Sequence, residues 1–385
     1  MRQKQKDFEI ANHLSPNLVR TLVLLFASLL ILALGAVAQN SNESLLTTDN
    51  AYNPIPSPDG RYVAYVSTGW RREGTIGFGR SSLVSDINIV SMRTTSTPRI
   101  LAKDYFLSGW TPDSTQLVCY RDWKYALVST DGKRIMEGRI PNDPNKHPAT
   151  EWVAYSPSLA TILWSRPIDN SHGAIETPDR TVVREEVFRQ ERVVPSPDGR
   201  YLAVFGEFPQ ADLRVYDLRL ESWTDLGTIS IHPDKDWWYI QPDWTPWFAD
   251  GSQLVFLRDS TLVITTPDGG QKTEIKIDGP AGLPVSSPSG QSVAYVTFEP
   301  HPSQGRPDLQ FWGGTTILVV PVTAGAKSRM VTLKNPDEVY DLKWLSNDTL
   351  VFDRVADEVF YRHARIWKAA VPRWIKTNCR KVTVG

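Results

Sequence analysis

The chain has 385 residues, a hydrophobic fraction of 41% and a formal net charge of −1. That balance lacks the basic footprint with which a nucleic-acid binder displaces counterions. Two cysteines, Cys119 and Cys379, are too few for a disulfide framework and form no Cys-x-x-Cys pair for zinc or redox chemistry, although a single bridge between them stays open. The 28 prolines argue against long helices, because proline lacks the amide donor and clashes with the preceding turn; with the 14 tryptophans they point to an all-β chain.

In chain order, the first 20 residues are polar, with Arg2, Lys4, Lys6 and Arg20 against Asp7 and Glu9. Thr21 to Ala38 then runs without a charge and ends in Ala36-Val37-Ala38, a small-x-small site of the kind a signal peptidase cuts. The stretch reads as a cleaved signal or, at the short end of a span, as a retained membrane-anchor helix. Either reading puts the remainder outside the cytoplasm, periplasmic or secreted, because the positive flank stays inside. Membrane contact is then expected only through residues 21–38, and residues 39–50 are a short linker.

From residue 51 to 385 one pattern recurs. Pro56-Ser57-Pro58-Asp59-Gly60-Arg61 leads into Tyr62-Val63-Ala64-Tyr65-Val66, and Pro195 to Phe205 repeats the phrase almost unchanged. Weaker copies start at Trp110, Tyr155, Trp247, Ser286 and Trp344. Aligned on Pro58, Pro112, Pro157, Pro197, Ala249, Pro288 and Asn347, they return about every 48 residues, the length of a four-stranded propeller blade. Proline presets φ at the first turn position, Asp bonds its own backbone and Gly accepts positive φ, so each copy spells strand, tight turn, strand.

A third strand follows in most units, at Asp86–Val90, Tyr125–Val128, Leu213–Tyr216, Leu262–Thr265, Thr316–Val320 and Ala364–Trp367. Arg99–Leu101 and Lys272–Lys276 are examples of a poorer fourth. The third unit is irregular: it offers Thr181-Val182-Val183 but no clear third strand, so the expectation is seven blades with six as the alternative. The charged run Arg180 to Arg192 reads as a solvated or short amphipathic insertion. Closing the ring calls for a strand from one terminus; Ser44–Thr48 is the candidate, and Lys381–Val384 the alternative.

The phrase Pro56 to Tyr65 resembles the WD-repeat-like propeller unit of the TolB family, and also blades in the N-terminal propellers of prolyl oligopeptidase-type peptidases. The resemblance spans roughly residues 45–384 and implies a β-propeller without specifying an activity. Two features depart from it. The first phrase follows the apolar stretch too soon for the α/β domain that precedes a TolB propeller, and no Gly-x-Ser-x-Gly elbow of a hydrolase occurs.

Six histidines, at 13, 147, 172, 232, 301 and 363, fall in no metal-binding spacing. Neither a phosphate loop nor a calcium loop is present. Asp59, Asp198 and Asp250 belong to the turns. No metal and no cofactor is expected. One stretch stands apart: Asp236 to Phe248 packs Trp237, Trp238, Tyr239, Trp244, Trp247 and Phe248 into thirteen positions. Trp247 and Phe248 precede a turn and read as packing. Trp237, Trp238, Tyr239 and Trp244 lie in the connection entering a blade and are the candidate ligand-binding residues, since exposed aromatics with a polar edge suit protein or glycan surfaces; packing between blades is the competing role. These features point to a non-catalytic extracytoplasmic binding or scaffolding module for a protein or glycan. The alternatives are an enzyme, hydrolase or lyase, with its site at the channel mouth, and an accessory propeller gating a separate peptidase.

Overall fold

The structure is a computed structural model that describes residues 43–371 apart from segments between strands, the longest being 141–152, 231–243 and 356–364. The apolar stretch Thr21–Ala38, Cys379 and the candidate closing strand Lys381–Val384 lie outside the described residues. Every regular element among the described residues is a strand.

After β1 (Glu43–Leu45), blade 1 holds β2 (Ala51–Pro56), β3 (Tyr62–Glu73), β4 (Arg80–Ser91) and β5 (Arg99–Lys103). Blade 2 holds β6 (Phe106–Trp110), β7 (Gln116–Arg121), β8 (Lys124–Ser129) and β9 (Arg134–Arg139). Blade 3 holds β10 (Val153–Ser156), β11 (Thr161–Pro167), β12 (His172–Glu176) and β13 (Thr181–Phe188), and blade 4 holds β14 (Glu191–Pro195), β15 (Tyr201–Gly206), β16 (Gln210–Asp217) and β17 (Ser222–Ser230). Blade 5 has β18 (Leu254–Arg258), β19 (Thr261–Thr265) and β20 (Lys272–Lys276), preceded by a lone bridge from Trp247 to Leu254. Blade 6 comprises β21 (Ala281–Ser286), β22 (Ser292–Ser303), β23 (Arg306–Pro321) and β24 (Arg329–Val331). Blade 7 comprises β25 (Glu338–Ser346), β26 (Thr349–Val355) and β27 (Arg365–Ala370). Each sheet is an antiparallel meander, and the leading strands of neighbouring blades pack on one another, β2 on β6 and β25, β10 on β14, β18 on β21. The chain is a seven-bladed β-propeller, with leading strands innermost.

Burial follows position in the blade. Leu202 to Phe205 of β15 are all fully buried, because a middle strand is covered on both faces by adjacent blades and so reads as a continuous apolar run. The outermost β9 is exposed along nearly its whole length. At about 25 cal/mol per Å² of apolar surface, the blade-to-blade faces, more than the individual sheets, are the stabilising unit.

The third unit is a full blade. Its third strand, β12, escaped the sequence pattern because His172-Gly173-Ala174-Ile175-Glu176 has a single β-branched residue. Neighbouring blades bury it regardless, and Glu176 is fixed by two hydrogen bonds from Arg166 at 2.9 and 2.8 Å and one from the Trp164 indole at 3.3 Å. The run Arg180–Arg192 is not an insertion: it forms β13 and opens β14.

The ring closes through the N-terminal segment. β1 pairs antiparallel with β27, Glu43 opposite Ala369 and Leu45 opposite Trp367, as the outermost strand of blade 7. The pairing continues as the Leu46 amide donates to Ile366 O at 2.8 Å. Buried charge collects on the inner side of the seam between blades 7 and 1. Asp341, Asp353 and Arg354 are no more than 2% exposed. The Asn53 amide donates to Asp353 Oδ2 at 3.4 Å, and the Arg354 guanidinium lies over the rings of Phe352 and Trp367. Burial, reinforced by Asp341 and Asp353, raises the Tyr52 hydroxyl above the ordinary tyrosine value.

Candidate functional site at the channel mouth

In an antiparallel meander, the turn between the first and second strands and the turn between the third and fourth share one face. The remaining turns and the blade-to-blade connections share the other. The seven first turns, which hold the repeated phrase, therefore gather at one mouth of the channel.

Their chemistry is nearly uniform. In blade 1 the Ser57 amide donates to Tyr62 O at 2.9 Å and the Gly60 amide to Ser57 O at 2.8 Å. The Ser57 hydroxyl donates to Asp59 Oδ1 at 2.8 Å and accepts from the Tyr62 amide at 3.0 Å. Blade 4 repeats this with Ser196, Asp198 and Tyr201, and blade 2 with Thr111, Asp113 and Gln116. The turns take positive φ even where they lack glycine, +62° at Ser114, which stands where Gly60 does, and +50° at Ala160, one position later in blade 3. Burial alone would raise the Asp59 carboxyl, but hydrogen bonds from the Arg61 amide, Ser57 and the Arg61 side chain hold it below its ordinary value. Asp113 is lowered by Thr111 and Thr115, and Asp250 by the Ser252 amide and hydroxyl.

The turns also touch one another. The Asp59 amide donates to Ser114 Oγ of blade 2 at 3.1 Å, and the Ser289 amide of blade 6 to Asn347 Oδ1 of blade 7 at 2.8 Å. A Cβ on Gly199 would sit 2.5 Å from Ser158 N of blade 3, and one on Gly60 would sit 2.9 Å from Leu345 O of blade 7. The turn motif thus joins blade to blade as well as strand to strand.

Inside this collar lies a cavity of about 520 Å³ lined by residues of all seven blades. Pro58, Pro112, Pro157, Pro197 and Pro288, with Ala249, form its rim, and Ile55, Val285 and Lys343 lie one layer deeper along the inner strands. Between them stand Trp110, Tyr155, Trp247 and Trp344. The three indoles share one role. Trp110 Nε1 donates to Ile55 O, Trp247 Nε1 to Val194 O and Trp344 Nε1 to Val285 O, each at 2.9 Å and each to the inner strand of the preceding blade. Two also stack on a tyrosine of that blade, Trp110 on Tyr62 and Trp247 on Tyr201. Among the described residues of the lining, Lys343 is the only charged side chain.

Of the aromatic stretch, Trp237, Trp238 and Tyr239 lie outside the described residues. Trp244 is 3% exposed, meets Phe205 edge-on at 5.2 Å and donates its indole proton to Pro284 O at 2.9 Å. It thus bridges the packing of blades 4 and 6 beside blade 5. In the sequence the rim prolines read as turn residues, whereas the ring gathers them into one lining. Their alignment at one position of the repeat was the signal. Among the described residues, no three His, Cys, Asp or Glu side chains come together to hold a metal ion. Cys119 is wholly buried in β7, which raises its thiol far above the usual range.

No protein-family model matches the chain, and no curated protein matches it. Solved structures do. The β-propeller domain of Cps50 (Swd1) from Myceliophteria thermophila matches at a TM-score of 0.54 and 14% identity, over 86% of this chain and 100% of that one. A chain of the mitotic checkpoint complex matches at 0.52 and 8%, over 86% and 91%. A candidate TolB from Agrobacterium tumefaciens matches at 0.38 and 13%, over 72% and 95%. At these identities the likeness is one of fold. It is consistent with the resemblance carried by the Ser-Pro-Asp-Gly phrases.

Proposed function

We propose that this chain is an extracytoplasmic propeller that holds a protein partner at the mouth formed by its first turns, as a binding module without chemistry of its own. The observation that carries the reading is the cavity of about 520 Å³ to which every blade contributes. Its lining is mostly proline, tryptophan and aliphatic, with Lys343 and a few hydroxyl residues among them, and a largely apolar patch carrying aromatic anchors suits an interface core. The serine, threonine and aspartate groups around it are engaged in turn hydrogen bonds. A propeller of similar fold has been solved within the mitotic checkpoint complex, a protein assembly. The location rests on the uncharged run Thr21–Ala38 behind a positive flank. Trp237, Trp238 and Tyr239 are proposed as additional partner contacts.

Ala249 is exposed on the rim, so Ala249→Trp plugs the mouth without disturbing the core. Partners cross-linked to the wild-type protein in intact cells should be lost from this variant while its melting temperature is unchanged. An unaltered partner set in Ala249→Trp would refute the mouth as the binding site. The same comparison with Trp237→Ala/Trp238→Ala decides the aromatic contacts. Appearance of the protein with the cytoplasmic fraction after osmotic release would overturn the location.

A further inference from the structure

The rim carries charge as well as apolar surface. Five of the seven first turns place an exposed carboxylate directly after the rim residue: Asp59, Asp113, Asp198, Asp250 and Asp348. Asp59 is paired with Arg61. Asp113 and Asp250 form no ion pair among the described residues, and are held only by turn hydroxyls and amides. The neighbouring Arg200 is drawn outward to Asp217, 2.7 Å away, rather than to Asp198. These hydrogen bonds stabilise the ionised form. The mouth is therefore a largely apolar cup, with Lys343 in its deeper layer, inside an acidic collar. The rim residue at five positions is proline, which has no amide proton to offer a ligand acceptor, and the next amide in blade 1 is spent on Ser114.

We infer that the mouth takes a polypeptide segment with an apolar or proline tip flanked by lysines or arginines, the tip seated in the cup and the cations lying on Asp113, Asp198 and Asp250. This rests on the docking reading above and supplies the chemistry of its partner. Charge complementarity chooses the occupant: an acidic segment would bring like charges to the collar, and a second copy of this face would set collar against collar. The cup admits only a few side chains, so the occupant is a loop or chain end rather than a flat domain surface.

The test uses two dye-labelled peptides that share a Gly-Pro-Phe-Pro-Gly centre, one ending in lysine pairs and the other in glutamate pairs. Fluorescence anisotropy is read with the wild-type protein at low and high salt, with Ala249→Trp and with Asp113→Asn/Asp250→Asn, which keeps one acceptor oxygen in each turn. The lysine peptide is expected to bind at least about tenfold more tightly at low salt, with the preference falling to within about twofold near 0.5 M salt, where the Debye length drops to about 4 Å. Ala249→Trp should abolish binding, and the double Asn variant, assayed at a temperature where it remains folded, should cut the preference. Equal binding of both peptides, lost in Ala249→Trp, would overturn the cationic chemistry while leaving the mouth as the docking site. If neither peptide binds and Ala249→Trp also keeps its cross-linked partners, both readings fall. If neither binds but the plug removes the partners, the inference alone falls.

Discussion

At the scale of single residues, the first turn of each blade concentrates the constraints. Gly199 combines φ of +75° with a direction from which a Cβ would strike Ser158 N. Gly199→Ala is expected to lose more than about 1–2 kcal/mol, since the left-handed region alone costs that much for an L-residue. Ala160, one position later in the first turn of blade 3, also has positive φ, +50°, so Ala160→Gly should gain roughly 0.5–1 kcal/mol once glycine's entropy is set against the relieved strain. Urea unfolding midpoints of the two variants should move in opposite directions. The turn aspartates add a pH dependence. Hydrogen bonds hold Asp59, Asp113 and Asp250 below the ordinary carboxyl value near 3.8, so in acid the unfolded chain binds protons before the folded one. Their contribution is fully present well above pH 3.8 and is lost as pH falls through that value and below. Urea midpoints should therefore drop between about pH 5 and pH 3, and Asp113→Asn should flatten part of that slope. The turns themselves were legible from Ser57-Pro58-Asp59-Gly60, because proline, aspartate and glycine act locally. The contact of one turn with the next was not, because it depends on how closely two blades pack.

At the scale of elements, the strands most legible from sequence are those whose residues are β-branched or aromatic, such as β15 and β19. β12 was missed because burial by neighbouring blades, rather than propensity, makes it a strand. The inner strands hide another feature. Blades 1, 2, 6 and 7 shift register at the same place, between Tyr52 and Ile55, Leu107 and Gly109, Gly282 and Val285, and Tyr340 and Lys343. Such bulges bend and twist the strand, and nothing in their dissimilar sequences announces them. The indole bridges give this scale its prediction. Trp247→Phe keeps a ring against Tyr201 but removes the indole donor to Val194 O, at a cost of about 0.5–1.5 kcal/mol. Trp344→Phe should cost a similar amount through Val285 O. Denaturation midpoints of the two variants, compared with an exposed Leu220→Ala control, would show whether the bridges hold blades together. The candidate site was half legible. The repeat supplied the rim prolines one at a time, but their convergence is a property of the ring. Trp244 looked like a surface aromatic because its burial partners, Phe205 and Pro284, lie 39 and 40 residues away in sequence.

At the scale of the whole molecule, seven sheets share their faces around a ring, so no blade opens without exposing two neighbours. Cys119 reports on this directly. It is fully buried between blades and its thiol is pushed strongly up by burial, so it is both inaccessible and protonated. In a Cys379→Ser background, labelling of Cys119 by a thiol reagent should proceed only at the rate of global opening. Rapid labelling under native conditions would mean that blade 2 opens alone.

The pairing of β1 with β27 also sets the order in which the molecule is finished. Thr47 accepts from the Ile366 amide across 319 residues of sequence. At about 5–20 residues per second, synthesis of that interval takes on the order of tens of seconds. Throughout that time β1 has no partner, and the blades completed so far stand as an open arc. The N-terminal strand must wait as an unpaired segment until the last blade arrives. A nascent chain halted before residue 365 therefore offers two unsealed sheet surfaces to chaperones, proteases or another arc like itself.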